Sequence, residues 1–243
     1  MLNLTDPGPL LSAFSAIDWA AAALTLATLF LSTWVIEHPP KGRPSTHVLM
    51  HHYRRAWLHE MALRDVRIFD AQLLATLRQG TAFFASTTMI AIGGGAAALG
   101  RTEQLDSVAS DLNQALSAPI VVWEVKILFV IAFLTFAFLK FVWSMRLFGY
   151  CAVLMAATPS EQDPEAAMAM ATRAARVNIL ADRAFTRGLR GLYFAIAALG
   201  WFLGPAVMIG AVLLTGSILW RREFKSQTRT ALLEGMPRPW TPS

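Results

Sequence analysis

The sequence predicts an all-α integral membrane protein: a four-span helical bundle with two long cytoplasmic amphipathic helices, forming a single membrane domain over 1–243. Three observations predict it. Of 243 residues, 55% are hydrophobic and only 15% charged, below the roughly 25% charge of soluble domains. Several apolar stretches reach the length of about 20 residues that a hydrocarbon core demands. Lys and Arg flank those stretches, the pattern of topology control and anionic-lipid contact. The net charge of +5 is therefore expected to serve lipid headgroups rather than nucleic acid, because no reading module accompanies it. The single cysteine, Cys151, excludes an internal disulfide and a Cys-cluster metal site.

The first span is expected over about 17–36, with Asp18 and Trp19 at its entrance and Trp34 near its exit, as interfacial tryptophan belts require. No Lys or Arg precedes it, so no cleaved secretory leader is expected. Pro39, Pro40 and Pro44 then forbid helix and make a rigid connector. Residues 45–78 read as an amphipathic helix too charged for lipid. The second span, about 79–99, carries FFASTTMIAIGGGAAAL, whose small residues permit close helix approach. Its Gly93-Gly94-Gly95 run is no phosphate loop, since no strand precedes it and no Lys-Ser/Thr follows. Residues 100–118 form a polar loop.

The third span, about 119–143, is the centre of the reading. Lys126, Phe129, Phe133, Phe136, Lys140 and Ser144 fall on one face of it. Glu124 lies about 160° round the helix from Lys126. Charge on a span costs roughly 2.5–3.5 kcal/mol at mid-membrane and usually faces protein or water. Asp163-Pro164-Glu165 then starts a helix: a capping Asp, Pro at the first position and acid in the first turn. It runs over 164–190 and feeds the last apolar stretch, 191–220, which Gly204-Pro205 interrupts.

Outside the spans, 37–78 holds seven Lys and Arg, 144–190 holds six, and 100–118 holds one. Four spans with the N-terminus outside satisfy the positive-inside rule, except that the tail's five basic residues fall outside. A re-entrant hairpin at Gly204-Pro205 would return that tail to the cytoplasm. Its arms of about 15 residues are short for a full crossing, so a kinked fourth span is the expectation and the hairpin its alternative.

Candidate functional groups follow from this layout. Asp18, Glu124, Lys126, Lys140 and Ser144 are pathway or latch candidates, with an Asp18–Lys126 or Glu124–Lys126 contact in view. Arg173, Arg176, Arg183, Arg187 and Arg190 share about 100° of the 164–190 helix. With Arg64 and Arg67 they make a basic cytoplasmic face for lipid phosphates or neighbouring carboxylates, with an anion funnel as the sharper alternative. All five histidines, His38, His47, His51, His52 and His59, fall within 22 residues. His47 with His51, or His52 with His59, could bind metal together with a carboxylate such as Asp70. A surface cluster without metal is the expectation, and HEMAL at His59 lacks the second His of a zinc-protease motif. No cofactor and no catalytic residue is expected.

Five stretches carry a resemblance: FFASTT at Phe83–Thr88, KFVWSMRLF at Lys140–Phe148, RGLRGLYFA at Arg187–Ala195, RREFKS at Arg221–Ser226 and WLHEMALRDVRIFD at Trp57–Asp70. Together, and in their order along the chain, they resemble a family of multi-pass membrane proteins, bacterial with plant relatives, known only as a domain of unknown function. The resemblance implies a shared membrane fold and no activity. The expected function is an oligomeric channel-like or transport protein for ions or small anions. The alternative is a non-conducting scaffold or accessory subunit that binds anionic lipid or a membrane-protein partner through its basic helices. The expected location is the bacterial cytoplasmic (inner) membrane, as a homo-oligomer.

Overall fold

Ser15 starts the first helix with a capping box: its hydroxyl accepts from the Asp18 N–H at 3.2 Å, and the Asp18 carboxylate accepts from the Ser15 N–H at 3.0 Å. The computed structural model describes residues 13–40, 42–102, 119–159 and 163–234. Over these the chain forms α1 (Ala16–Glu37), α2 (Thr46–Ala62), α3 (Ile68–Leu99), α4 (Ile120–Ala156), α5 (Pro164–Ala198), a 3₁₀ turn (Leu199–Leu203), α6 (Pro205–Phe224) and α7 (Gln227–Leu233). No strand occurs among the described residues. The polar loop expected over 100–118 lies outside them from 103 onward.

Three helices, α1, α3 and α4, are long and apolar enough to cross a membrane. Their outward faces are apolar as well: Phe30, Leu31, Trp34, Phe83, Ile90 and Leu139 are all exposed, Ile90 to 77%. Monomeric soluble proteins rarely present large apolar surface of that kind, so these faces and the three long apolar helices suggest a membrane protein.

The connector after α1 reverses the chain. Gly42 takes a left-handed φ of 80°, and the Ser45 hydroxyl donates to the Ile36 carbonyl at 2.7 Å while capping Val48 N–H. The end of α1 and the start of α2 are thus joined. The amphipathic helix expected over 45–78 is shorter than expected. It stops at Ala62, and residues 68–78 are the first turns of the 32-residue α3. Arg67 holds the break open, donating to the carbonyls of Thr158 and Pro159 at 2.7 and 2.8 Å, just past the end of α4. A guanidinium placed just beyond the last turn of α4 also complements the negative end of that helix's dipole.

The start of α5 is the one the sequence announces: Asp163 accepts from Ala166 N–H at 2.9 Å, with Pro164 following. Its inward face is an alanine seam (Ala167, Ala171, Ala174, Ala175, Ala181, Ala184), all buried. Against it lie Leu147, Phe148 and Cys151 of α4 in one core cluster. Farther along, Gly188 and Gly191 let the same two helices close. A Cβ at Gly188 would stand 2.6 Å from the Phe141 ring, and one at Gly191 2.8 Å from Phe136.

The stretch 191–220 is two helical segments joined by a reversal rather than one kinked helix. The chain leaves α5 through the 3₁₀ turn and reverses at Gly204, with φ 121° and ψ 159°, a conformation open essentially to glycine alone. It then returns as α6, with Pro205 at its first position. The contacts are those of a hairpin. Gly200 packs on the Met208 backbone, Arg222 lies over the Tyr193 ring at 5.7 Å, and Glu223 reaches the start of α2. The last described helix, α7, thus lies beside α2, where Tyr53 donates to Leu232 O at 2.9 Å and Arg229 to Pro44 O at 2.9 Å.

Candidate functional site

Two polar clusters sit at opposite ends of the bundle. At the hairpin tip, the Trp201 indole N–H donates to Asp18 Oδ1 at 2.7 Å. The buried Lys126 ammonium stands 5.5 Å from the Trp123 ring centroid and 6.0 Å from that of Trp201. Asp18 interacts electrostatically with it, although no ion pair within 4.0 Å joins the two. Of the two lysine contacts expected, the structure brings Asp18 rather than Glu124 to this side. Glu124 is half-buried on another face of α4. Asp18 serves three tasks at once: capping α1, accepting from Trp201 and balancing Lys126.

The lysine–phenylalanine stripe of α4 faces protein, chiefly α5. Phe133 is buried in the core with Phe194 and Trp201, and Phe136 seats against Gly191. Ser144, fully buried, donates to Ala181 O at 2.7 Å across the helix pair. Lys140 is half-buried with its ammonium 5.5 Å from the Phe136 ring. Ser144 therefore acts as a clasp between α4 and α5.

The arginine stripe of α5 divides. Arg173 and Arg176 are exposed, and Arg183 is half-buried. Arg187 and Arg190 instead turn to Glu37 at the end of α1. Arg187 Nε donates to Glu37 Oε1 at 2.8 Å and Arg190 Nη1 to the same oxygen at 3.2 Å. Glu37 and Arg190 side chains are each only 4% exposed, while Arg187 stays 40% exposed. Arg64 leaves the expected shared face and pairs with buried Asp70 at 2.8 Å. The Trp57 indole N–H donates to that same carboxylate oxygen at 2.7 Å. Asp70 is therefore engaged by Arg64 and Trp57 rather than by the histidine pairs it could have joined.

The second polar cluster lies next to Glu37, where α1, α2, α5 and α6 meet. His47 and His51, one turn apart on α2, are each 5% exposed, so this part of the histidine cluster is interior rather than surface. Both face Asp182 of α5 at 3.6 Å. Arg54 donates to Asp182 Oδ1 and Asn178 Oδ1, each at 2.7 Å. Asn178 in turn donates to Cys151 Sγ at 3.6 Å. From α6, Glu223 accepts the His47 backbone N–H at 3.1 Å. Burial pushes His47 down to about 3, with neighbouring His51 adding to the effect, so it is neutral at neutral pH. Burial works to raise the Asp182 carboxyl, but His51 and the Arg54 guanidinium outweigh it and hold it below the usual carboxylate range. His52 is exposed, and His59 contacts Thr172 Oγ1 at 3.2 Å.

Glu37, Arg54, Asn178 and Glu223 complete this junction and were not singled out in the sequence. Glu37 alone left a trace, as an acid set directly at the end of an apolar span.

The chain matches the family model described as "Protein of unknown function, DUF599" over residues 20–228. The comparison with curated proteins gives no match, and neither does the comparison with solved structures. The matched region takes in α1 from its second turn through the start of α7, and with it all five stretches that carried the resemblance. The chain belongs to the DUF599 family of proteins of unknown function.

Proposed function

We propose that this is a non-conducting scaffold or accessory subunit of the bacterial cytoplasmic membrane, anchored by five crossing segments. The crossings are α1, α3, α4 and the two arms of the α5–α6 hairpin, with the N-terminus outside and the α2 end inside. Two contacts support the depth of the hairpin. Trp201 at its tip meets the first turn of α1, and Glu223 at its other end meets α2. This topology also removes the conflict over the tail. The seven, six and five basic residues of 37–78, 144–190 and the tail all lie inside, and Arg101 alone lies outside.

The observation that carries the scaffold reading is the packing of the Lys126–Ser144 face of α4 against its own bundle. With Phe133 in the core, Phe136 against Gly191 and Ser144 bonded to the Ala181 carbonyl, this stripe is taken up by contacts within the chain. The exposed Arg173 and Arg176, with Arg221 and Arg222 of α6, form the basic surface that would meet anionic headgroups or an acidic membrane partner.

An oligomeric transport protein for ions or small anions is the second reading. It is favoured by half-exposed Lys140 and by the open Gly93 and Gly94 face of α3, where a second subunit could approach and enclose a path between chains. Reconstitution separates the two. The scaffold reading expects ion flux no greater than that of empty liposomes, with anionic lipid retained in native mass spectra and lost on Arg173→Gln with Arg176→Gln. Flux that falls on Lys140→Met would reject it in favour of transport.

A further inference from the structure

The junction holds two imidazoles and a carboxylate, drawn from α2 and α5, whose hydrogen bonding is incomplete. His47 Nδ1 and His51 Nε2 each stand 3.6 Å from the same oxygen, Asp182 Oδ2. Neither distance is a hydrogen bond. His51 Nε2 is buried without a hydrogen-bond partner, although it is aimed at that oxygen. All three ligand atoms lie within 4.8 Å of one another. A buried nitrogen left unpaired beside a carboxylate is costly unless something else completes it.

The spacing fits a metal ion. Ligands about 2.0–2.1 Å from a tetrahedral ion stand about 3.3–3.4 Å apart, so the two imidazole–carboxylate edges at 3.6 Å are within a few tenths of an ångström of that spacing, and the imidazole–imidazole edge, within 4.8 Å, closes by ring adjustment about the ion. The carboxylate is already oriented for this. Arg54 takes Oδ1 at 2.7 Å and is itself fixed by Asn178, which leaves Oδ2 toward the imidazoles. The i,i+4 pair places both rings on one face of α2.

We propose that His47, His51 and Asp182 bind a divalent transition-metal ion of the zinc type and thereby pin α2 to α5. Two imidazole nitrogens select that class over magnesium or calcium, which take oxygen ligands. The site borders a groove of about 280 Å³ lined by Thr46, Thr186, Arg222 and Glu223, from which water can supply a fourth ligand. Arg54 balances Asp182 when no ion is present, so the protein folds without metal and gains stability with it.

The test uses the full-length protein in nanodiscs, with its purification tag removed, titrated with zinc and with cobalt(II). The expected result is stoichiometric zinc that survives dialysis, visible absorption bands of low-symmetry cobalt, and a melting temperature raised by zinc. His51→Gln and Asp182→Asn should each weaken zinc binding by more than about 100-fold, beyond the 10–100-fold typical of residues that only support a ligand. His52→Gln, on the exposed face, should leave binding unchanged. Should His51→Gln fail to fold, His47→Gln serves as the second ligand variant. Zinc that binds the wild type no better than the folded ligand variants, or that is lost equally on His52→Gln, would overturn the proposal.

Discussion

Trp201 donates its indole N–H to Asp18 at 2.7 Å across 183 positions of sequence. This one bond ties the tip of the α5–α6 hairpin to the first turn of α1, beside the buried ammonium of Lys126. Hydrogen bonds to charged groups contribute about 1.5–3 kcal/mol. Trp201→Phe, which keeps the ring over Lys126, should therefore destabilise the detergent-solubilised protein by about that amount in a denaturant titration. Asp18→Asn should cost more in the wild type than in a Lys126→Met background. Equal costs in the two backgrounds would show that the carboxylate and the ammonium are uncoupled.

Gly204 marks the reversal, and its backbone sits where only glycine rests without strain. Gly204→Ala should lower stability by about 1–3 kcal/mol, although nothing lies within 4 Å of the added methyl. An unchanged melting temperature would mean that the turn relaxes freely.

The α4–α5 seam should tolerate no bulk. Gly188→Val drives a branched side chain into the Phe141 ring, and Gly191→Val does the same to Phe136. Overpacking of this kind costs about 1–3 kcal/mol, to be read from thermal unfolding. Gly93→Val and Gly94→Val, which meet nothing within 4 Å in the same chain, should leave monomer stability near that of the wild type. A change of mass in native spectra on those two would place a subunit contact on α3.

Glu37 offers a graded comparison. Glu37→Gln leaves the buried Arg190 uncompensated and should cost about 3–5 kcal/mol. Arg187→Gln, at a position 40% exposed, should cost no more than about 1 kcal/mol. The ordering of these two variants in the same unfolding assay is the expected outcome, and its reversal would contradict the assignment of Arg190 as the buried partner.

The parts of this fold that local chemistry dictates were legible in the sequence. Asp163-Pro164-Glu165 announced α5, Trp19 and Trp34 bracketed α1, and the wheel of α4 put Lys126 and Ser144 on its packed face. The end of α2 at Ala62 was hidden because no Gly or Pro stands there. Arg67 and Asp70 make that break through contacts with Thr158, Trp57 and Arg64. The reversal at Gly204-Pro205 was ambiguous, since the same dipeptide kinks a helix or turns a chain. The misplaced charge of Arg221, Arg222, Lys225 and Arg229 was the signal that should have decided it. Asp182 as the carboxylate facing His47 and His51 was illegible, because α2 and α5 meet only through tertiary packing.

The central claim is that the chain turns back at Gly204 and builds the polar junction from α6 as well as α2 and α5. Spin labels at Thr186→Cys and Ser226→Cys, in a Cys151→Ala background, test it by pulsed electron–electron distance measurement. Both positions border the same groove, so a single short distance, well within half the thickness of the bilayer core, is predicted. A continuous kinked helix would separate the labels by about 60 Å at 1.5 Å per residue. A distance near that value would contradict the hairpin and the junction together.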